Sequence, residues 1–139
     1  MSFRWGLAGL LAVGLAACGG DSMTGPSDPA ALRGPWLAVS AAPAGGPTIP
    51  APGDLGTFSV TFAVDRLSAR VDCNTCGGVY TAGPGSISTP PMACTLAFCA
   101  STAEFGTIYT GLLQGATAWR VEGDTLLLSS PAGALRFRR

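Results

Sequence analysis

A chain of 139 residues suits one domain of ordinary size. Its eight basic residues are all arginine, they balance eight acids, and neither lysine nor histidine occurs; this excludes Ser-His-Asp and Cys-His catalysis, histidine-held metals, Schiff-base lysines and the phosphate-loop lysine, and with no basic run there is no footprint for nucleic acid. A hydrophobic share of 47% against 12% charged excludes a disordered chain, while 20 Gly and 11 Pro promise many turns.

At the N-terminus, Arg4 is the sole charge before Asp21, and the apolar stretch Trp5 to Ala17 is 13 residues long. A spanning helix needs ~20, so a cleaved export signal over residues 1–17 fits better. Its end, Leu15-Ala16-Ala17-Cys18-Gly19, resembles the lipobox of bacterial lipoproteins. That resemblance implies cleavage before Cys18 and acylation of its thiol and new N-terminus. Several acyl chains anchor stably where one holds only marginally. With Gly19 rather than Asp after the cysteine, the implied destination in a two-membrane cell is the outer membrane, facing the periplasm. Residues 18–33, rich in Gly, Ser, Asp and Pro, read as a flexible tether, with folding expected from about Gly34.

Beyond the tether, Trp36 to Ser40 reads as a first strand, followed by a Pro- and Gly-rich loop from Ala41 to Gly53. Phe58, Val60 and Phe62 alternate with polar residues, as do Leu67, Ala69 and Val71 after the break at Asp65-Arg66, which predicts a hairpin. Cys73 continues that parity, so its sulfur is expected to point inward. Val79–Thr81 and Ser86–Ser88 are shorter strand candidates around Gly83-Pro84-Gly85. Apolar residues at 105, 108, 109, 112 and 113 predict a helix from Thr102 to about Gln114, despite Gly106 and Gly111, each costing about 1 kcal/mol against Ala. Thr117–Val121 and Asp124–Leu128 flank the turn Glu122-Gly123, and Ala134–Phe137 closes the chain. The expected fold is mainly β: a compact antiparallel meander or partly open barrel of about seven short strands with one packed helix. Tyr80 and Trp119, both on strands, are expected in the core.

The cysteines hold what chemistry there is. Beside Cys18 stand Cys73, Cys76, Cys94 and Cys99. In an exported chain they read as two disulfides, and either cross-pairing closes loops of ~18–26 residues worth roughly 3 kcal/mol each by chain entropy. A four-thiolate zinc site needs the sulfurs kept reduced, and a redox reading of Cys73-Asn74-Thr75-Cys76 lacks the following helix that would lower a thiol pKa. No cofactor is implied, and no carboxylate pair stands out, so the chain is not expected to be an enzyme.

Residues 34–139 resemble the META, or HslJ-like, domain family of envelope lipoproteins. The likeness rests on Gly34-Pro35-Trp36-Leu37, on Val71-Asp72-Cys73-Asn74 followed by Gly78-Val79-Tyr80, on Pro91-Met92-Ala93-Cys94, and on Trp119 to Leu128 after the helix. It implies a compact β fold with a packed helix, a non-catalytic role in heat-shock response and antibiotic tolerance, and an envelope protein as possible partner, besides the membrane held through lipid. It also implies a disulfide between Cys73 and Cys94, leaving Cys76 with Cys99. Two rivals stand beside it: a pilotin-like carrier of an apolar peptide or lipid, and a thiol oxidoreductase.

Overall fold

The structure, a computed structural model, describes residues 28–53, 57–99 and 103–139. The expected signal segment, Cys18 and most of the tether lie outside the described residues. Regular structure is already present ahead of Gly34: Asp28 caps a 3-10 turn, Pro29–Leu32, by accepting from the amide of Ala30, and Leu32 is buried.

The strands are β1 (Gly34–Pro43), β2 (Ile49–Pro50), β3 (Phe58–Phe62), β4 (Arg66–Val71), β5 (Asn74–Val79), β6 (Thr81–Gly83), β7 (Ser86–Ser88), β8 (Ala93–Cys94), β9 (Ala118–Glu122), β10 (Thr125–Ser130) and β11 (Gly133–Arg138), with the helix α1 (Ala103–Gln114) between β8 and β9. They form one antiparallel sheet in the order β6-β7-β9-β10-β11-β1-β3-β4-β5-β8, with β2 beside β1. Tyr80 alone separates β5 from β6, which stand near opposite ends of that order. The sheet must therefore curl until its ends approach, giving a half-barrel with α1 packed on it.

Among the described residues eleven strands replace the expected seven or so. The additions are short or poor in side chains, so alternation could not reveal them. β1 runs on to Pro43 into the expected loop, kinking by a register shift between Ala38 and Ser40 that lets it pair with β3 first and β2 afterwards. β5 carries Gly77 and Gly78 inside a continuous ladder with β4.

The period-two and helical patterns point inward as expected. Phe58, Val60, Phe62, Leu67, Ala69, Val71, Leu126, Leu128, Leu135 and Phe137 are buried, and Phe105, Tyr109, Leu112 and Leu113 meet them from α1. Phe58 packs edge-on against Phe105 at 4.7 Å and Tyr109 at 5.4 Å between ring centroids, arrangements the ring quadrupole favours. Tyr80 and Trp119 are both buried; the Trp119 indole donates to Gly83 O at 2.9 Å, and the Tyr80 hydroxyl donates to Ala63 O. Thr89, buried between strands and helix, donates to Leu113 O at 2.7 Å and so closes the C-terminal end of α1.

At the β10–β11 turn, Gly133 has φ 144, and a Cβ there would overlap the Ala42 carbonyl and lie 2.9 Å from Pro43 Cα and 3.0 Å from Leu112 Cδ2. Gly133→Ala is expected to lower unfolding free energy by about 2 kcal/mol or more in urea titration, since backbone rather than a flexible side chain must yield.

Tyr109 is fully buried and its hydroxyl has no hydrogen-bond partner among the described residues. Burial pushes its pKa well above the ordinary tyrosine value, and burial first, with the Asp65 charge, also raises Tyr80 against the opposing pull of Arg33. A phenol held neutral in the folded state contributes fully below about pH 10 and loses that contribution as pH climbs toward the folded pKa, at up to about 1.4 kcal/mol per pH unit for the fully buried Tyr109. Alkaline unfolding is therefore expected above about pH 10. Tyr109→Phe should flatten that fall while leaving neutral-pH stability unchanged or raised, because an unpaired buried hydroxyl costs about 1–3 kcal/mol.

Candidate functional site

The four described cysteines converge at one end of the half-barrel, in a pairing different from the one the family resemblance implied. Cys73 bonds Cys99, with Cα atoms 5.8 Å apart, and Cys76 bonds Cys94, at 4.0 Å. Register is the reason: the β5–β8 ladder sets Cys76 directly opposite Cys94. The expected inward sulfur of Cys73 is likewise corrected. β4 ends at Val71, Asp72 takes φ 59, and Cys73 occupies the exposed second position of the turn, so the alternation is broken before it. The inward cysteine is Cys76, 2% exposed.

From Cys94 the chain returns over the Asp72-Cys73 turn as the loop 95–99. Asn74 organises it. Its Oδ1 accepts from Ala97 N at 2.7 Å and from the Thr95 hydroxyl at 2.9 Å, while its Nδ2 donates to Ala97 O at 2.9 Å. Thr95 also accepts from Thr75 N at 3.0 Å and donates its own amide to Thr75 O at 3.0 Å. A loop held by a disulfide at its far end and by paired side-chain and backbone bonds at its centre is stiff. It nevertheless presents Leu96 and Phe98 to solvent at 96% and 89% exposure. Among the described residues these two are the most exposed of the large apolar side chains, ahead of Val64 and Val79, and they stand on one braced loop.

Between this loop and α1 lies a cleft of about 540 Å³. Val71, Cys76, Cys94, Ala97, Phe98 and Cys99 form one wall, and Gly106, Thr107, Thr110, Gly111 and Gln114 of α1 form the other. Three of its polar side chains bond within the protein: Asn74 and Thr95 as above, and Thr107 by donating to Ala103 O at 2.9 Å. Among the described lining residues Asp72 is the one with an ionisable side chain, and the Arg70 guanidinium, outside the lining, donates to its backbone carbonyl at 3.4 Å. A mostly apolar groove of this volume is the ordinary form of a binding site.

Among the described residues no cluster of His, Cys, Asp and Glu is arranged to hold a metal ion, and no helix is long and apolar enough to cross a membrane. Cys73 and Cys76 are each bonded elsewhere rather than to one another. Leu96, Phe98, Asn74, Gly111 and Thr89 were not singled out from the sequence as site or capping residues. The uncharged run Thr95–Phe98 between two cysteines was the one available signal for the loop.

The family model described as META domain matches residues 30–139. Among curated proteins, none matches the chain. A protein from Burkholderia xenovorans, solved by NMR, is similar in fold, with TM-score 0.69 and 18% identity over 84% of this chain and 88% of that one. A DUF4847 family protein from Bacteroides vulgatus, a crystal structure, has TM-score 0.56 and 13% identity over 77% and 92%. At these identities the likeness speaks to fold.

The two disulfides differ in access: Cys73 is exposed and Cys99 partly so, whereas Cys76 is buried. Under graded reductant with alkylation and peptide mapping, Cys73 and Cys99 are expected to take label before Cys76 and Cys94, because exchange needs the attacking thiolate to reach sulfur.

Proposed function

Because the chain belongs to the META domain family, we propose that it is a lipid-anchored protein of the bacterial envelope that acts by binding, not catalysis, in maintaining the envelope under stress. The observation that carries this reading is the braced loop and its cleft: two cysteine pairs at bonding distance hold apolar Leu96 and Phe98 outward beside an apolar groove. Such bonds persist in oxidising compartments, which accords with export through the Leu15-Ala16-Ala17-Cys18 motif. Cys18 is the proposed acylation site and the outer membrane, facing the periplasm, the proposed address. The same cleft favours a second reading, a carrier that takes up an apolar peptide or lipid.

Intact-mass analysis of the protein extracted from envelopes tests the anchor. The expected species begins at Cys18, carries acyl chains there and has no free thiol at the other four cysteines. Cys18→Ser should leave the chain out of the membrane pellet. An unprocessed, unacylated product with free sulfhydryls would overturn the reading.

A further inference from the structure

Gly111 sits in the third turn of α1, where glycine costs about 1 kcal/mol against alanine. Fold geometry gives no reason for it. Its φ lies outside the left-handed region, and an added Cβ would meet no described atom within 4 Å. Gly106, one turn earlier, is different: a Cβ there would touch Val71 and Phe58, so its smallness serves the packing of the helix on the sheet. Gly111 instead opens into the cleft, with Thr107 and Thr110 beside it. Glycine at such a point allows another molecule to approach the helix backbone closely.

Two further features describe that molecule. The apolar surface does not stop at the cleft, since it continues over Phe98 to Leu96, which is outside the lining and 96% exposed. A small ligand enclosed in the groove would leave Leu96 bare, so the occupant extends past the rim. Among the described lining residues Asp72 alone carries an ionisable side chain, and its carboxylate has no ion-pair partner among the described residues. Nearby Arg70 donates to the Asp72 carbonyl at 3.4 Å, not to its carboxylate. A carboxylate at the mouth of an apolar groove repels fatty acids and anionic headgroups and attracts a cation.

We infer that the cleft between α1 and the disulfide-held loop binds a polypeptide segment of a partner protein, with apolar side chains lying against Gly111 and Phe98 and a lysine or arginine beside Asp72. The inference rests on the binding role proposed above and names its partner chemistry.

The test uses the acylated chain in phosphatidylcholine nanodiscs, with empty discs as reference. The probe is a short fluorescent peptide of Leu, Phe and Ser carrying two lysines and a benzophenone, with a twin in which glutamate replaces lysine. The lysine peptide is expected to bind at least ~5-fold more tightly than its twin, and Asp72→Asn should remove most of that difference, as expected for a rim charge pair. Asparagine tolerates the positive φ of that turn, so the loop is kept. Gly111→Leu should fill the groove and weaken binding ~10-fold or more without lowering the melting temperature, since leucine is the better helix former. If that variant misfolds, Leu96→Ser with Phe98→Ser on the exposed loop should weaken binding similarly. Photo-adducts should map to α1 and residues 95–99.

Equal binding of the two peptides overturns the charged-segment inference and leaves the binding role standing. Binding of lysophosphatidylcholine, but neither peptide, in a manner blocked by Gly111→Leu also overturns it, in favour of a lipid carrier. A dimer abolished by Gly111→Leu overturns it in favour of self-association. Failure of every probe, with no dimer, overturns the inference and the binding role together.

Discussion

Pairing of the first long strand with the last holds the two halves of this molecule together. β1 lies between β11 and β3, so β6-β7-β9-β10-β11 and β3-β4-β5-β8 meet through it, while the chain also crosses between the two groups at Tyr80, from β7 to β8, and through α1. The seam is reinforced at the chain ends. The Arg139 guanidinium lies 3.8 Å from the centroid of the Trp36 ring and donates to Ala31 O at 2.8 Å, while the Trp36 indole donates to Leu32 O at 2.7 Å. A cation over an indole face adds about 0.5–2 kcal/mol according to its desolvation. The contacts that complete the sheet thus join residues at opposite ends of the sequence, the costly kind to form during folding because loop closure precedes the gain.

The disulfides act on the other end of the half-barrel. The β4–β5 hairpin needs no covalent help, being a continuous ladder with a two-residue turn. What the bonds stabilise is the return of residues 95–99, which have no regular secondary structure of their own. Two apolar side chains can be kept in water there because covalent bonds and the amide of Asn74 remove the alternative of collapse onto the core. The sulfurs maintain a surface more than they maintain a fold.

How much was legible follows from which residues bury a face. β3 and β4 have large side chains at alternate positions, and α1 has Phe105, Tyr109, Leu112 and Leu113 on one side, so period alone revealed them, whereas β9 and β10 were marked by the Glu122-Gly123 turn between them. β5 did not show, because Gly77 and Gly78 give its ladder no alternation to read and Cys76 alone marks its inward side. β2 and β8, at two residues each, are defined by their partners. The cysteine pairing depended on the β5–β8 register, which in turn depended on recognising β5. The cleft was the least legible feature, since its walls come from segments 30 or more residues apart in places, and Asn74 looks like any turn residue until Ala97 is seen against it.

Strand register also decides which way the cleft faces. Gly34 pairs with Phe62, and Phe58 at the far end of the same strand pairs with Val71 beside the cleft. The polypeptide therefore enters at one pole, where Arg139 and Trp36 gather, and the cleft opens near the other, ~13 Å away along β3 at the usual rise per residue. With a bilayer anchor proposed at Cys18, the stretch from there to Asp28 spans at most ~36 Å. The proposed anchor thus joins the domain at the pole opposite the groove, so attachment there leaves the groove free to meet something that arrives from the aqueous side.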